Sequence, residues 1–173
     1  MTLWPLPFRP AFEWMSALPG SMAMREAELA FPINLTLHVL GMCVFLGLIF
    51  MMDLRLMGIA HKRIPVSEIQ KRLFPWQMVG FTLMIVTGAL MFYADPVRYW
   101  GKLFFWIKLA TMGFAGINML VFHFTTYRSV AAWDADPAPP FGARLAGGLS
   151  IVLWLVVLSL GRLVAFDWWT QVV

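Results

Sequence analysis

The sequence predicts an all-α integral membrane protein, a four-helix up-down bundle preceded by a short interfacial helical segment. Three observations predict it. Hydrophobic residues make up 61% of the 173 and charged residues only 13%, about half of the roughly 25% that a soluble domain carries. The mean hydropathy is +0.75. The apolar residues fall in four continuous blocks, each close to the ~20 residues that cross a bilayer as a helix. Continuous runs, rather than short alternating ones, select helices over barrel strands.

The chain divides at residue 30 into an N-terminal interfacial segment (1–30) and a four-transmembrane-helix domain (31–173). Pro5, Pro7, Pro10 and Pro19, with several charges, break up the first part. It has no clean apolar core of a cleavable signal, so the first span is expected to be its own insertion signal. From Pro10 to Ala30, Glu13, Arg25, Glu26 and Glu28 give mixed polarity. That stretch is expected to form one or two short helices, lying on the membrane or plugging the bundle mouth. The spans are expected at about Phe31–Leu56, Pro75–Ala94, Leu103–Thr125 and Leu145–Phe166. Their short connections make neighbours antiparallel. "DADPAPP" (134–140) reads as a loop. Gly41, Gly47, Gly80, Gly88 and Gly161 are candidates for close helix approach, or for leaving room for a flat macrocycle.

A net charge of +4 could suggest nucleic acid, but the cations sit in short segments between apolar blocks, which reports topology and excludes such a partner. Arg55, Lys62, Arg63, Lys71, Arg72, Arg128 and Arg144 lie on one side, and Arg9, Arg25, Arg98 and Lys102 on the other. This asymmetry predicts both termini in the periplasm of a bacterial inner membrane. Trp100, Trp106, Trp168 and Trp169 are expected in the outer aromatic belt, Trp76 and Trp133 in the inner one. The single cysteine, Cys43, is expected to be a small buried hydrophobe.

Ionisable groups within spans are costly and are therefore candidate functional residues. His38 lies roughly 8 Å inside the outer end of the first span, at about 1.5 Å of rise per residue. Lys108, Arg162 and Tyr93 fall in the same layer from the other three helices, with Met91 nearby. Lys108 and Arg162 are long enough to snorkel to headgroups; His38 is too short. A second layer at the inner face holds Asp53 and Arg55, expected as an ion pair or cap, with His61 and His123. Asn118 is turned away from Lys108 by roughly 80°, towards another helix. The 13 methionines raise copper, since thioether and imidazole suit Cu(I); His38, Met42 and Met91 would be its ligands. No nucleotide-binding, nucleophile-elbow or zinc-protease motif is present, which argues against nucleotide or peptide-bond chemistry.

The segments "HVLGMCVFLGLIFMMDLRLMG" (38–58), "TGALMFYADPVRYW" (87–100), "WIKLATMGFAGINMLVFH" (106–123) and "LWLVVLSLGRLVAF" (153–166) resemble a family of bacterial four-helix inner-membrane proteins without an agreed function. His38 and Lys108 also resemble, more distantly, positions in copper resistance protein D and in the membrane protoporphyrinogen oxidase group, which uses a helical bundle with haem b. The spacing from Lys108 to His123 departs from the oxidase pattern.

The leading expectation is a membrane redox protein holding haem b, with His38 as axial ligand. Lys108 or Arg162 would neutralise a propionate or a substrate anion. His61 with His123 is the bis-histidine alternative. His38 and His123 cannot share one iron, because their depths differ by roughly 20 Å. Copper handling and a structural subunit role are the other readings. Besides the lipid bilayer, the partners to be expected are a quinone, a redox protein, or further subunits of a homo- or hetero-oligomer.

Overall fold

The computed structural model describes residues 8–166. Two short helices, α1 (Arg9–Ser16) and α2 (Pro19–Glu26), precede α3 (Ala30–Leu56) and α4 (Val66–Ala94). A five-residue helix, α5 (Pro96–Trp100), links to α6 (Leu103–Phe124); a 3-10 turn (Thr126–Ala132) and a loop lead to α7 (Phe141–Phe166). Helices α3, α4, α6 and α7 are each long and apolar enough to cross a membrane. The protein is a multi-pass helical membrane protein. Leu40, Val44, Val79, Phe114, Ile117 and Val152 project outward from these helices, each more than half exposed or close to it. An apolar residue on an outward face is at home only against lipid.

Helix α4 starts at Val66, nine residues before the expected Pro75. The added residues include Glu68, Lys71 and Arg72, polar enough to hide the helix from a hydropathy reading. They become helical because the start is capped from afar: the Ser67 N–H and hydroxyl donate to the Asp134 carboxylate at 2.7 and 2.5 Å. Pro75 sits inside the helix and removes one bond, to the Lys71 carbonyl. With 29 residues, α4 is about 43 Å long, so its first turns project beyond a hydrocarbon core of about 30 Å.

Helix α3 is central. It packs along α4 and α7, and α7 packs along α6. Glycines set the two α3 contacts. A Cβ on Gly80 would stand 3.0–3.2 Å from the Phe45 backbone and Cβ, and one on Gly147 would be 2.8 Å from the Asp53 carbonyl oxygen. Phe45, Leu46, Met84, Ala115, Trp154 and Val157 form the mid-bundle core. Helices α4 and α6 make no sustained contact along their length. They meet at one end, where Phe92 stacks on Phe105 (centroids 5.5 Å, interplanar 8°).

That end is capped by α1, α2 and α5. Phe12 of α1 packs on Trp100 at 4.4 Å. Ser21 of α2, fully buried, donates its hydroxyl to the Tyr93 carbonyl at 2.8 Å, closing the C-terminus of α4. Lys102 donates to the Val164 carbonyl of α7 at 2.6 Å. The N-terminal helices thus plug the bundle mouth.

The opposite end is organised by Arg55, which is fully buried. Its Nε donates to the Ile64 carbonyl (2.8 Å) and its Nη2 to the carbonyls of Asp134 and Asp136 (both 3.1 Å). The expected Asp53–Arg55 ion pair does not form: among the described residues the salt bridges are the exposed Arg9–Glu13 and Arg72–Glu68 pairs. Two residues apart on a helix, the two side chains point about 200° apart. Gly58 at φ +70 turns the chain beside Pro137, whose carbonyl oxygen would lie 3.0 Å from a Cβ. Trp133 is buried against Met52, Leu56 and Ile69 rather than in a belt, whereas Trp76 is exposed. Trp168 and Trp169 lie outside the described residues. Cys43 faces outward rather than into the core.

Asp134 gives this end a pH dependence. Burial alone would raise its carboxyl, but the Ser67 hydroxyl and N–H, the Val66 N–H and the nearby Arg55 guanidinium hold it below its ordinary value. A carboxyl depressed by folding stabilises fully above its unfolded value of about 3.9 and loses that contribution as pH falls through the folded value. Asp134→Ala should therefore melt earlier than the parent at neutral pH. The gap should close as pH falls below about 4, read by thermal unfolding in detergent.

Candidate functional site

The capped end of the bundle holds the candidate site. His38 is half-buried on α3 and faces α4. Its Nδ1 lies 2.9 Å from the Thr87 hydroxyl oxygen. Thr87 has one hydroxyl proton, and it goes to the Leu83 carbonyl at 2.6 Å, the usual back-bond of a helical threonine. With that assignment the hydroxyl oxygen accepts from Nδ1–H, and the ring also donates to the Met84 backbone carbonyl. In a neutral ring a proton on Nδ1 leaves the lone pair on Nε2. Asn34, buried one turn before His38, donates to the Thr87 backbone carbonyl at 2.9 Å and fixes the same segment of α4 against α3. A Cβ at Gly88 would meet His38 Cε1 at 3.2 Å, so a larger residue there would push the ring aside by a few tenths of an ångström.

Lys108 reaches the same layer from α6. It lies close enough to His38 for the two to interact electrostatically. Its Nζ would be 3.7 Å from a Cβ on Gly161 of α7; the missing side chain lets the lysine lie across α7 into the bundle. No hydrogen bond or ion pair ties the ammonium among the described residues. Above this layer the Phe92–Phe105 stack closes the gap between α4 and α6; below it the two helices do not pack. By helical projection, Phe81, Ile85 and Gly88 share the α4 face that carries Phe92, and Leu109, Met112 and Gly116 share the α6 face that carries Phe105. A Cβ at Gly116 would meet nothing within 4 Å. The layer is thus apolar, with a histidine supplied by α3 and a lysine by α6.

The other residues singled out from the sequence are placed elsewhere. Arg162 is exposed and lays its guanidinium over Phe166 at 4.5 Å. Tyr93 directs its hydroxyl at Gly20 of α2, 2.8 Å from where a Cβ would be, and so belongs to the cap. Met42 packs against the mid-bundle core, and Met91 is half-buried. His61 is exposed in a loop at φ 54. His123 is exposed and stacks on Tyr127 at 5.3 Å. Among the described residues no three of His, Cys, Asp and Glu gather as a metal-binding group. Asn118 bonds across to the Ala146 carbonyl of α7 at 3.0 Å. The sequence reading missed Thr87 and Asn34, although both are polar residues within spans.

Residues 12–167 match a family of unknown function, DUF6644. The chain belongs to that family. No curated protein and no solved structure matches the chain.

Haem b can be tested against these residues on donor chemistry. It asks for an imidazole with a free ring nitrogen, a second-shell acceptor fixing the tautomer, apolar walls and a cation for a carboxylate. His38 supplies the imidazole, Thr87 its second-shell partner, the apolar helices the walls and Lys108 the cation. The residues fit the group.

Proposed function

We propose that this protein is a small membrane redox protein that binds haem b between its helices. One observation carries the reading: His38, bonded through Nδ1 to Thr87, and Lys108 come from different helices to one layer of an apolar bundle. When bound, the haem supplies one-electron chemistry. The chain's own residues do the rest. His38 offers Nε2 to the iron, Thr87 orients the ring and Asn34 holds Thr87. Lys108 balances a propionate, and the aromatic cap over Phe92 and Phe105 excludes water. The distant resemblance of His38 and Lys108 to the membrane protoporphyrinogen oxidase group supports the same cofactor. A bacterial inner membrane with both termini periplasmic, and a quinone or a redox protein as electron partner, complete the proposal.

The test is a reduced-minus-oxidised optical spectrum of protein purified in detergent after expression with ample haem. Sharp α and β bands at about one haem per chain are expected; a flat difference spectrum sinks the proposal. Thr87→Val keeps the shape of residue 87 and removes the acceptor. Loss of such a second-shell partner typically lowers affinity by about 10–100-fold, so weaker haem retention on titration is expected, with the apoprotein destabilised by only about 1 kcal/mol.

A further inference from the structure

Asp53 plays no part in that site. It lies near the other end of α3, 5% exposed, on the face that meets α7. Its Oδ2 is buried with no hydrogen-bond partner, and Ser150 of α7 is the side chain within hydrogen-bonding reach of the carboxyl. Among the described residues no cation offsets it: Arg55 is turned away to the Ile64, Asp134 and Asp136 carbonyls. From α4, the charged residue near this level is Arg72, 76% exposed and paired with Glu68, while Gln77 lies nearer mid-bundle and donates to the Leu48 carbonyl. The helix contact at Asp53 is among the tightest in the fold, since Gly147 leaves no room for a Cβ against the Asp53 carbonyl oxygen and Leu56. An ionised carboxylate there would have Ser150 as its one side-chain donor and leave Oδ2 buried without any, which disfavours the charged form. A carboxylic acid there instead has an O–H to donate, and Ser150 can accept it.

We propose that Asp53 is a proton-binding site built into the α3/α7 joint, its carboxyl carrying a proton in the packed bundle at neutral pH. The ligand is the proton itself, and the site is independent of whether haem binds at His38.

The experiment uses the full chain in detergent micelles at neutral pH, treated with the apolar reagent dicyclohexylcarbodiimide. The acid O–H adds across one C=N bond: the carboxyl oxygen bonds to the central carbon and the proton passes to nitrogen. An O-to-N acyl shift then leaves a stable N-acylurea, with nothing oxidised or reduced. One adduct is expected, mapped by peptide mass to the segment containing Asp53. In infrared spectra a protonated-carboxyl C=O band that shifts in deuterium oxide is expected, and it should vanish in Asp53→Asn. The mapping needs no variant, so it stands even if Asp53→Asn fails to fold. Absence of the adduct at Asp53, or no such band in the folded parent protein, overturns the proposal. Protection from labelling by sodium at constant ionic strength also overturns it, by making a metal cation the occupant.

Discussion

His38→Ala is expected to remove haem from the purified protein, leaving less than about a tenth of the parent's occupancy, while the chain still folds. The first half follows from ligand count. Among the described residues His38 is the one histidine in the layer with Lys108, because His61 and His123 sit at the Arg55 end, exposed. Losing the iron's protein ligand removes the strongest bond holding the cofactor, and a 10-fold loss corresponds to only about 1.4 kcal/mol. The second half follows from what His38 does for the fold. It bonds the Thr87 hydroxyl and the Met84 carbonyl, and a typical bond contributes about 1 kcal/mol net. Haem stoichiometry from the pyridine haemochrome spectrum, read beside the apoprotein melting temperature, separates the two effects. Retention of haem by His38→Ala together with its loss in a His61→Ala, His123→Ala double variant would move the cofactor to the opposite end. Lys108→Met is the graded companion. It should retain the Soret band and lower affinity by about tenfold, because it deletes a charge partner and no ligand.

Much of this layer was legible in the sequence, for a simple reason. Antiparallel helices of similar length convert residue number into depth, so His38 near the start of α3 and Lys108 near the start of α6 had to share a level. Rotation about each helix axis was less legible. Arg162 shares the depth of Lys108 but follows Gly161, and one residue is about 100° of turn; it faces outward against Phe166 while the glycine faces Lys108. Tyr93 fails for a different reason. It is drawn to α2, whose docking depends on the Ser21 bonds to the α4 terminus, and no local pattern announces such a contact. Thr87 escaped because threonine in an apolar span reads as neutral until its hydroxyl is assigned a donor and an acceptor. The same limit explains α4. Its first turns are helical only because Asp134, 67 residues downstream of Ser67, caps them.

The largest effect on stability is expected from Arg55→Met. The substitution keeps an unbranched side chain of similar reach, so lost packing is small and lost hydrogen bonding dominates. Three carbonyls, of Ile64, Asp134 and Asp136, lose their donor at once. Bonds to a charged donor contribute roughly 1.5–3 kcal/mol each. Water can re-solvate the three loop carbonyls once the latch is open, and burial of the guanidinium is no longer needed. A net cost of about 2–4 kcal/mol is expected, from carbonyls left without a donor at about 1–3 kcal/mol each, partly offset because the buried guanidinium, whose Nη1 has no partner, is gone. Arg72→Met is the contrast. Its pairing with Glu68 is an exposed i,i+4 bridge, with side chains 76% and 40% exposed, and such pairs contribute about 0.3–0.5 kcal/mol. Thermal unfolding of both variants in one detergent should show a large fall for Arg55→Met and almost none for Arg72→Met. Limited proteolysis should cut Arg55→Met first within residues 57–65 and 133–140, the two loops that the guanidinium ties together. Equal melting temperatures for the two variants would mean that the buried arginine is a passenger, and that Asp134 on Ser67 closes this end of the bundle alone.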